Sequence, residues 1–263
     1  MDVRTFLRKG LSIQVQRPGL PPDGPLTPAL KAMSGLGEQG RPVSPVGDEV
    51  ASLYARRTTH VAFMHTAGSG ITPWRRLIIL DAEYRGAGQT LSPERIGLVA
   101  HELTHLLQRD IAQRYYWPSG GLRPSLSRRW VGDSTNYMEV ISYLVGLTVE
   151  HDLIAVRAAN PGLSQDTQED YQRNLAAIRQ RLATLAAADA HNATRLVVKT
   201  YSDNAVYRKN YRLENRLPDG RIPSGGWTSW LRQMGFSRKC VDHIFNTAAQ
   251  SKAVFIDPTT FSI

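Results

Sequence analysis

The segment Ala100-His101-Glu102-Leu103-Thr104-His105 carries the residue types in this chain best suited to chemistry. Two histidines four apart in a helix lie about 40° from each other around the axis and one turn apart, so both imidazoles can reach a single zinc ion. Glu102, between them, then points beside the metal. From there its carboxylate can take a proton from a zinc-bound water and return it to a leaving amine, the acid–base work that peptide hydrolysis needs. With seven His and nine Glu in 263 residues, only about 0.006 matches to this pattern are expected by chance. A purely structural role for the two histidines leaves Glu102 and the spacing unexplained.

The element that must position these groups has a well-marked start. Ser92 can accept a hydrogen bond from a free first-turn N–H, Pro93 loses nothing at the first helical position, and Glu94 favours the positive end of the helix dipole. This predicts a helix from Pro93 to about Gln113. Within it, Ile96, Val99, Ala100, Leu103, Leu107 and Ile111 fall in one apolar arc, with His101 and His105 on the opposite side beside Leu98, so the helix should be buried on two sides. A second long helix is expected from about Ser134, through Tyr137, Val140, Leu144 and Leu147, to the stop at Asn160-Pro161-Gly162. Before these helices, His60–His65 and Arg76–Asp81 read as short strands bounded by turns such as Gly68-Ser69-Gly70.

A hydrolytic zinc site needs a third protein ligand and an open position. The run Val99-Ala100-His101-Glu102-Leu103-Thr104-His105-Leu106-Leu107 resembles the HExxH zinc metallopeptidases, the zincins. The metzincin pattern asks for Gly three residues and His six residues after the second histidine, and here those positions hold Gln108 and Ile111. The gluzincin pattern takes a glutamate from a following helix instead, and Glu139 in Asn136-Tyr137-Met138-Glu139-Val140 is similar to it. The resemblance therefore implies zinc held by His101, His105 and Glu139, with Glu102 as general base.

Competing third ligands are Glu150, His151 and Asp133. Glu150 lies on nearly the same helix face as Glu139 but about 16 Å further along, so both cannot bind one ion. Gly146, seven residues after Glu139, would let the two helices approach closely. Familiar gluzincins place an Asp four residues after the metal Glu to orient a ligand histidine; here that position is Tyr143, which leaves Ser142, Asn136 and Asp133 as candidates for the orienting group. Tyr115, Tyr116, Tyr137, Tyr143 and His151 compete as the oxyanion-stabilising electrophile, and none is singled out. Family members commonly align substrate on an edge strand before the active helix, a role the resemblance would give to Leu77–Leu80.

The implied fold class is α+β: a small, mostly antiparallel sheet, a gluzincin-like helical core, and an added C-terminal helical subdomain. The expected division is a Pro/Gly-rich extension over 1–47, the metallopeptidase core over 48–160 and helices over 161–263. From Arg17 to Gly47 there are seven Pro and six Gly, a composition expected to give extended and turn conformations without helix periodicity. Such an arm could wrap the surface or cover an active site as a propeptide does. Past Pro161, Tyr171, Leu175, Ile178, Leu182 and Leu185 keep helical spacing, and Trp227, Trp230 and Met234 read as packing residues. His60, His65, His191 and His243 stand isolated.

The single Cys240 excludes an internal disulfide and Cys-based metal clusters, so a metal site must use His and carboxylates. No run approaches the roughly 18 apolar residues of a membrane helix, and the charged start Met1–Lys9 lacks a secretory signal, which gives a cytoplasmic expectation. The net charge is +9, with Arg outnumbering Lys 26 to 6. The basic residues come as scattered pairs such as Arg56-Arg57 and Arg128-Arg129, which argues against a nucleic-acid module. The expected partner is a peptide or protein substrate. Two rivals are an inactive zincin-like binding module and a nucleic-acid-associated protease or binding protein.

Overall fold

The two apolar runs read as strands do form strands, and two further strands complete a sheet around them. The computed structural model describes residues 13–18, 24–37, 40–55, 57–64, 70–74, 76–85, 91–116, 124–187 and 226–250. Side chains at 71, 73, 74, 85, 109–116, 124–139, 187 and 226 fall outside that description. Strands β1 (Ile13–Gln16), β2 (Thr59–Met64), β3 (Gly70–Trp74) and β4 (Leu77–Asp81) form one sheet in the order β1-β2-β4-β3. Pairings β1–β2 and β3–β4 are antiparallel, and the central β2–β4 pair is parallel with Val61 beside Ile78. β4 is buried along its whole length. A strand covered on both faces reads as a continuous apolar run, which is what Leu77-Ile78-Ile79-Leu80 shows.

This topology corrects one expectation. Leu77–Leu80 is not an edge strand, because β4 is hydrogen-bonded on both sides and the edge belongs to β3. The stretch 70–74 contains Gly70 and Pro73, and both lower its strand signal in the sequence.

Among the described residues there are seven α-helices, α1 (Thr27–Met33), α2 (Pro45–Tyr54), α3 (Pro93–Tyr116), α4 (Pro124–Ala158), α5 (Gln165–Ala187), α6 (Gly226–Gln233) and α7 (Arg238–Ala249), and a short 3-10 helix at Ala82–Arg85. The protein is thus mainly helical with a small mixed sheet, an α+β arrangement. Among the described residues no helix is long and apolar enough to cross a membrane.

Helices α1 and α2 overturn the expectation that residues 17–47 hold no helix. Proline sits in the first turn of each, where its missing N–H would have had no helical partner. Ser44 caps α2 by accepting from the Gly47 N–H at 3.1 Å. α1 buries Ala29, Leu30 and Met33, which join the same hydrophobic cluster as Val99, Leu103, Ile141 and Leu144. That cluster also takes in Leu175 and Leu182 of α5, Trp227 and Trp230 of α6, and Val241 and Ile244 of α7.

Helix α3 starts as the sequence predicts, with Ser92 Oγ accepting from the Arg95 N–H at 3.3 Å. α4 begins at Pro124, ten residues before the predicted start. The two long helices touch backbone to backbone. A Cβ added at Gly97 would stand 2.8 Å from the Gly146 carbonyl oxygen, and one added at Gly146 would stand 2.7 Å from that of Gly97. Gly146 therefore serves the close approach expected of it, and Gly97 is its counterpart.

A buried carboxylate ties four elements together beyond this crossing. Asp152 of α4 accepts hydrogen bonds from Ser44 Oγ at 2.7 Å and from His243 Nε2 of α7 at 3.0 Å. His151 Nδ1 lies 3.3 Å from Asp152 Oδ1. Arg179 Nε of α5 donates to His151 Nε2 at 3.0 Å, so Nδ1 carries the His151 proton and points it at Asp152. Burial pushes the Asp152 carboxyl up, but the hydrogen bonds from His151, His243 and Ser44, with the charge of His243, outweigh it and hold the group below its ordinary value. The bond to Asp152 raises His243 against the opposing effect of burial.

Two outcomes follow from these contacts. Gly97→Ala gains up to about 1 kcal/mol in helix propensity but forces the helices apart at a cost of about 1–3 kcal/mol, so urea unfolding should show a lower midpoint with an unchanged slope. Asp152→Ala should destabilise by about 3 kcal/mol by stranding its buried donors. The wild-type advantage has a pH window: Asp152 contributes above its ordinary 3.8 and loses that contribution as pH falls through its lowered folded value. His243 contributes fully below its ordinary 6.5 and loses it as pH rises through its raised folded value. Unfolding free energies measured across pH should show the difference between wild type and variant greatest between those limits.

Candidate metal centre

The helix α3 places His101, Glu102 and His105 together because four residues nearly complete a turn, and its burial on two sides keeps their rotamers fixed. His101, Glu102 and His105 are 6%, 3% and 7% exposed. The Nε2 atoms of His101 and His105 stand 3.0 Å apart, with the rings edge to face. Two nitrogens on a tetrahedral zinc at about 2.0–2.1 Å are separated by roughly 3.3 Å, so a small rotation of either ring brings this pair to coordinating distance.

The tautomer of His105 follows from its neighbours. Its Nδ1 lies 3.0 Å from Gln108 Oε1, an acceptor, so Nδ1 carries the proton and Nε2 presents its lone pair toward His101. Ser142 Oγ of α4 lies 3.2 Å from the same Nδ1 and donates to Gln108 Oε1 at 3.4 Å. Gln108 and Ser142 thus hold the His105 ring in one orientation. Ser142 was among the sequence candidates. Gln108 was not, although a buried polar residue three after His105 on the same helix face was the available signal.

Glu102 meets the sheet edge. Thr72 Oγ1 of β3 donates to Glu102 Oε2 at 2.6 Å and lies 3.2 Å from the Glu102 carbonyl oxygen. Beside it, a Cβ at Gly70 would fall 2.7 Å from Glu102 Cγ, so only glycine lets the strand lie this close. Neither contact is legible in the sequence, since nothing local pairs positions 70 and 72 with position 102.

The other sequence candidates are distributed unevenly. Tyr143 sits with its ring 4.5 Å from that of His101, edge on. Glu150 lies against Gly97, a full turn before His101 on α3, where burial and the neighbouring Glu94 push its carboxyl up to about 7 against the pull of Arg181. His151 is committed to Arg179 and Asp152. His243, read as isolated, is bound to Asp152. Glu139 lies in α4 three residues before Ser142, but its side chain falls outside the described residues, as do those of Asp133, Asn136, Tyr115, Tyr116 and Tyr137. Among the described residues no group of three or more His, Cys, Asp or Glu could hold a metal ion. The two histidines supply two nitrogens, and a complete site needs one more ligand.

Comparison with protein-family models, with curated proteins and with solved structures found no match to this chain.

Proposed function

We propose that the protein is a zinc-dependent metallopeptidase that hydrolyses peptide bonds, with His101, His105 and Glu139 as zinc ligands and Glu102 as general base. The observation that carries this reading is the convergence of the two Nε2 atoms at 3.0 Å, with Nδ1 of His105 committed to Gln108 so that its Nε2 faces His101. Position 139 supports the third ligand, because helical period puts it on the face of α4 that includes Ser142 and Gly146, both of which touch the histidine pair. Bound zinc would polarise the scissile carbonyl and acidify water.

The chain's own residues do the rest. Glu102 takes the proton on its carboxylate and delivers it to the departing amine, and Thr72 holds Oε2 so that the carboxylate keeps one orientation through both transfers. Gln108 and Ser142 fix the ring of His105. Among the described residues β3 is the terminal strand of the sheet on the side of the site, where an extended substrate could add as a further strand.

The decisive experiment measures zinc in protein purified without chelator, then peptide-library cleavage. About one tightly held zinc per chain is expected, and Glu102→Gln should keep it while abolishing turnover. Loss of zinc in that variant would count against the assignment, and protein that takes up no zinc when supplied with it would be a zincin-like binding scaffold. Thr72→Val should leave zinc content unchanged and lower kcat roughly five- to tenfold, the effect of one lost hydrogen bond to the base.

A further inference from the structure

Glu150 of α4 is an acid placed where a helix turns its apolar side inward. Spacing of three and four residues puts it on one face with Gly146, Leu147, Leu153 and Ile154, and the three apolar side chains of that set are buried. At the crossing with α3, a Cβ on Gly97 would stand 3.0 Å from Glu150 Cβ and 3.6 Å from its Oε2, so the carboxyl lies along the α3 backbone. Among the described residues neither a hydrogen bond nor an ion pair reaches that carboxyl. The zinc reading gives it no role.

The charged groups that face Glu150 come from two helices. Glu94, in the first turn of α3 and three residues before Gly97, opposes a second negative charge, and Arg181 of α5 offsets part of that opposition. Both side chains are exposed, so water screens them. α2 and α7 meet α4 through Ser44 and His243, which are bonded to Asp152, roughly 200° further around the helix. His151 is held by Arg179 and Asp152. Burial is thus the largest influence on Glu150, Glu94 adds to it, and the carboxyl is pushed up to about 7.

The crossing beside this carboxyl also sets the approach of Ser142 to His105 and of Tyr143 to His101. Ser142, Gly146 and Glu150 follow one another at intervals of four residues along the same face of α4. A neutral carboxyl fits the apolar contact between the helices. An ionised one must gain water or a partner there, and either works against the backbone-to-backbone contact of Gly97 and Gly146.

We propose that Glu150 is a proton-held latch on the α3–α4 crossing: its neutral carboxyl lets the helices meet, and its ionisation loosens the crossing and with it the seating of Ser142 and Tyr143 against the histidine pair. The latch uses none of His101, Glu102, His105 or Glu139, so it stands whether or not the chain is a peptidase.

A carboxyl raised in the folded state contributes fully below its ordinary 4.5 and loses that contribution as pH rises through about 7. Glu150→Gln keeps the shape of the neutral acid and cannot ionise. Urea unfolding of the full chain from pH 5 to 8 should show the folding constant of the wild type falling, relative to this variant, severalfold per pH unit up to about 7 and then levelling. Glu94→Gln should bring the levelling to lower pH and Arg181→Ala to higher pH, opposite signs that a space-filling role for Glu150 would not give. Amide hydrogen exchange at pH 8 should be faster in the wild type than in Glu150→Gln at residues 97–101 and 142–146, with the two proteins nearly alike at pH 5. A stability difference that does not change between pH 5 and 8, a fall that both charge variants leave in place, or equal exchange at pH 8 would each overturn the proposal.

Discussion

The contact between Gly97 and Gly146 sets the terms for everything near the histidine pair. Each residue's missing side chain admits the other's carbonyl oxygen, and a Cβ at either position would come within 2.8 Å of it. At that separation Ser142 reaches His105 and Tyr143 reaches His101. Were the helices at an ordinary 8–10 Å spacing set by larger side chains, the orienting hydroxyl of Ser142 would lose its hydrogen bond. The geometry around the histidine pair is therefore set by two residues with no functional groups of their own.

A second constraint comes from the sheet. β3 lies against α3 so that Gly70 and Thr72 both meet Glu102, one by its lack of a side chain and the other by its hydroxyl. The carboxylate is thus gripped from the strand while its neighbours on the helix are gripped from α4. The strand holds Glu102, α4 reaches both histidines, and Gln108 of α3 adds a second hold on His105.

The readable part of this arrangement was what a single helix encodes. The Ser92 cap, the two-sided burial of α3 and the shared face of His101 and His105 depend on spacing of three and four residues, and the sequence carries them openly. The strand core at Leu77–Leu80 was likewise legible from its β-branched run, but its place in the middle of the sheet was not, because strand order depends on the crossover through β3. Residues 27–33 depart from their composition for a different reason: Pro- and Gly-rich sequence predicts no helix, yet Pro28 falls in the first turn, where it is tolerated. Thr72 and Gly70 left no local trace, since their partner is thirty residues away across an interface.

The hydrogen bonds differ greatly in the length of chain they close. Around the histidine pair they span 3 to 37 residues, the longest joining Ser142 to His105. The network that binds α2 to α4 and α7 spans 108 residues from Ser44 to Asp152 and 188 from Glu49 to Ser237. Loop-closure entropy grows with span, and contacts of short separation form sooner than distant ones. The strand–helix–helix unit around Glu102 is accordingly encoded in one continuous piece of chain, and the residues flanking it in sequence close over it as a clasp made from both ends.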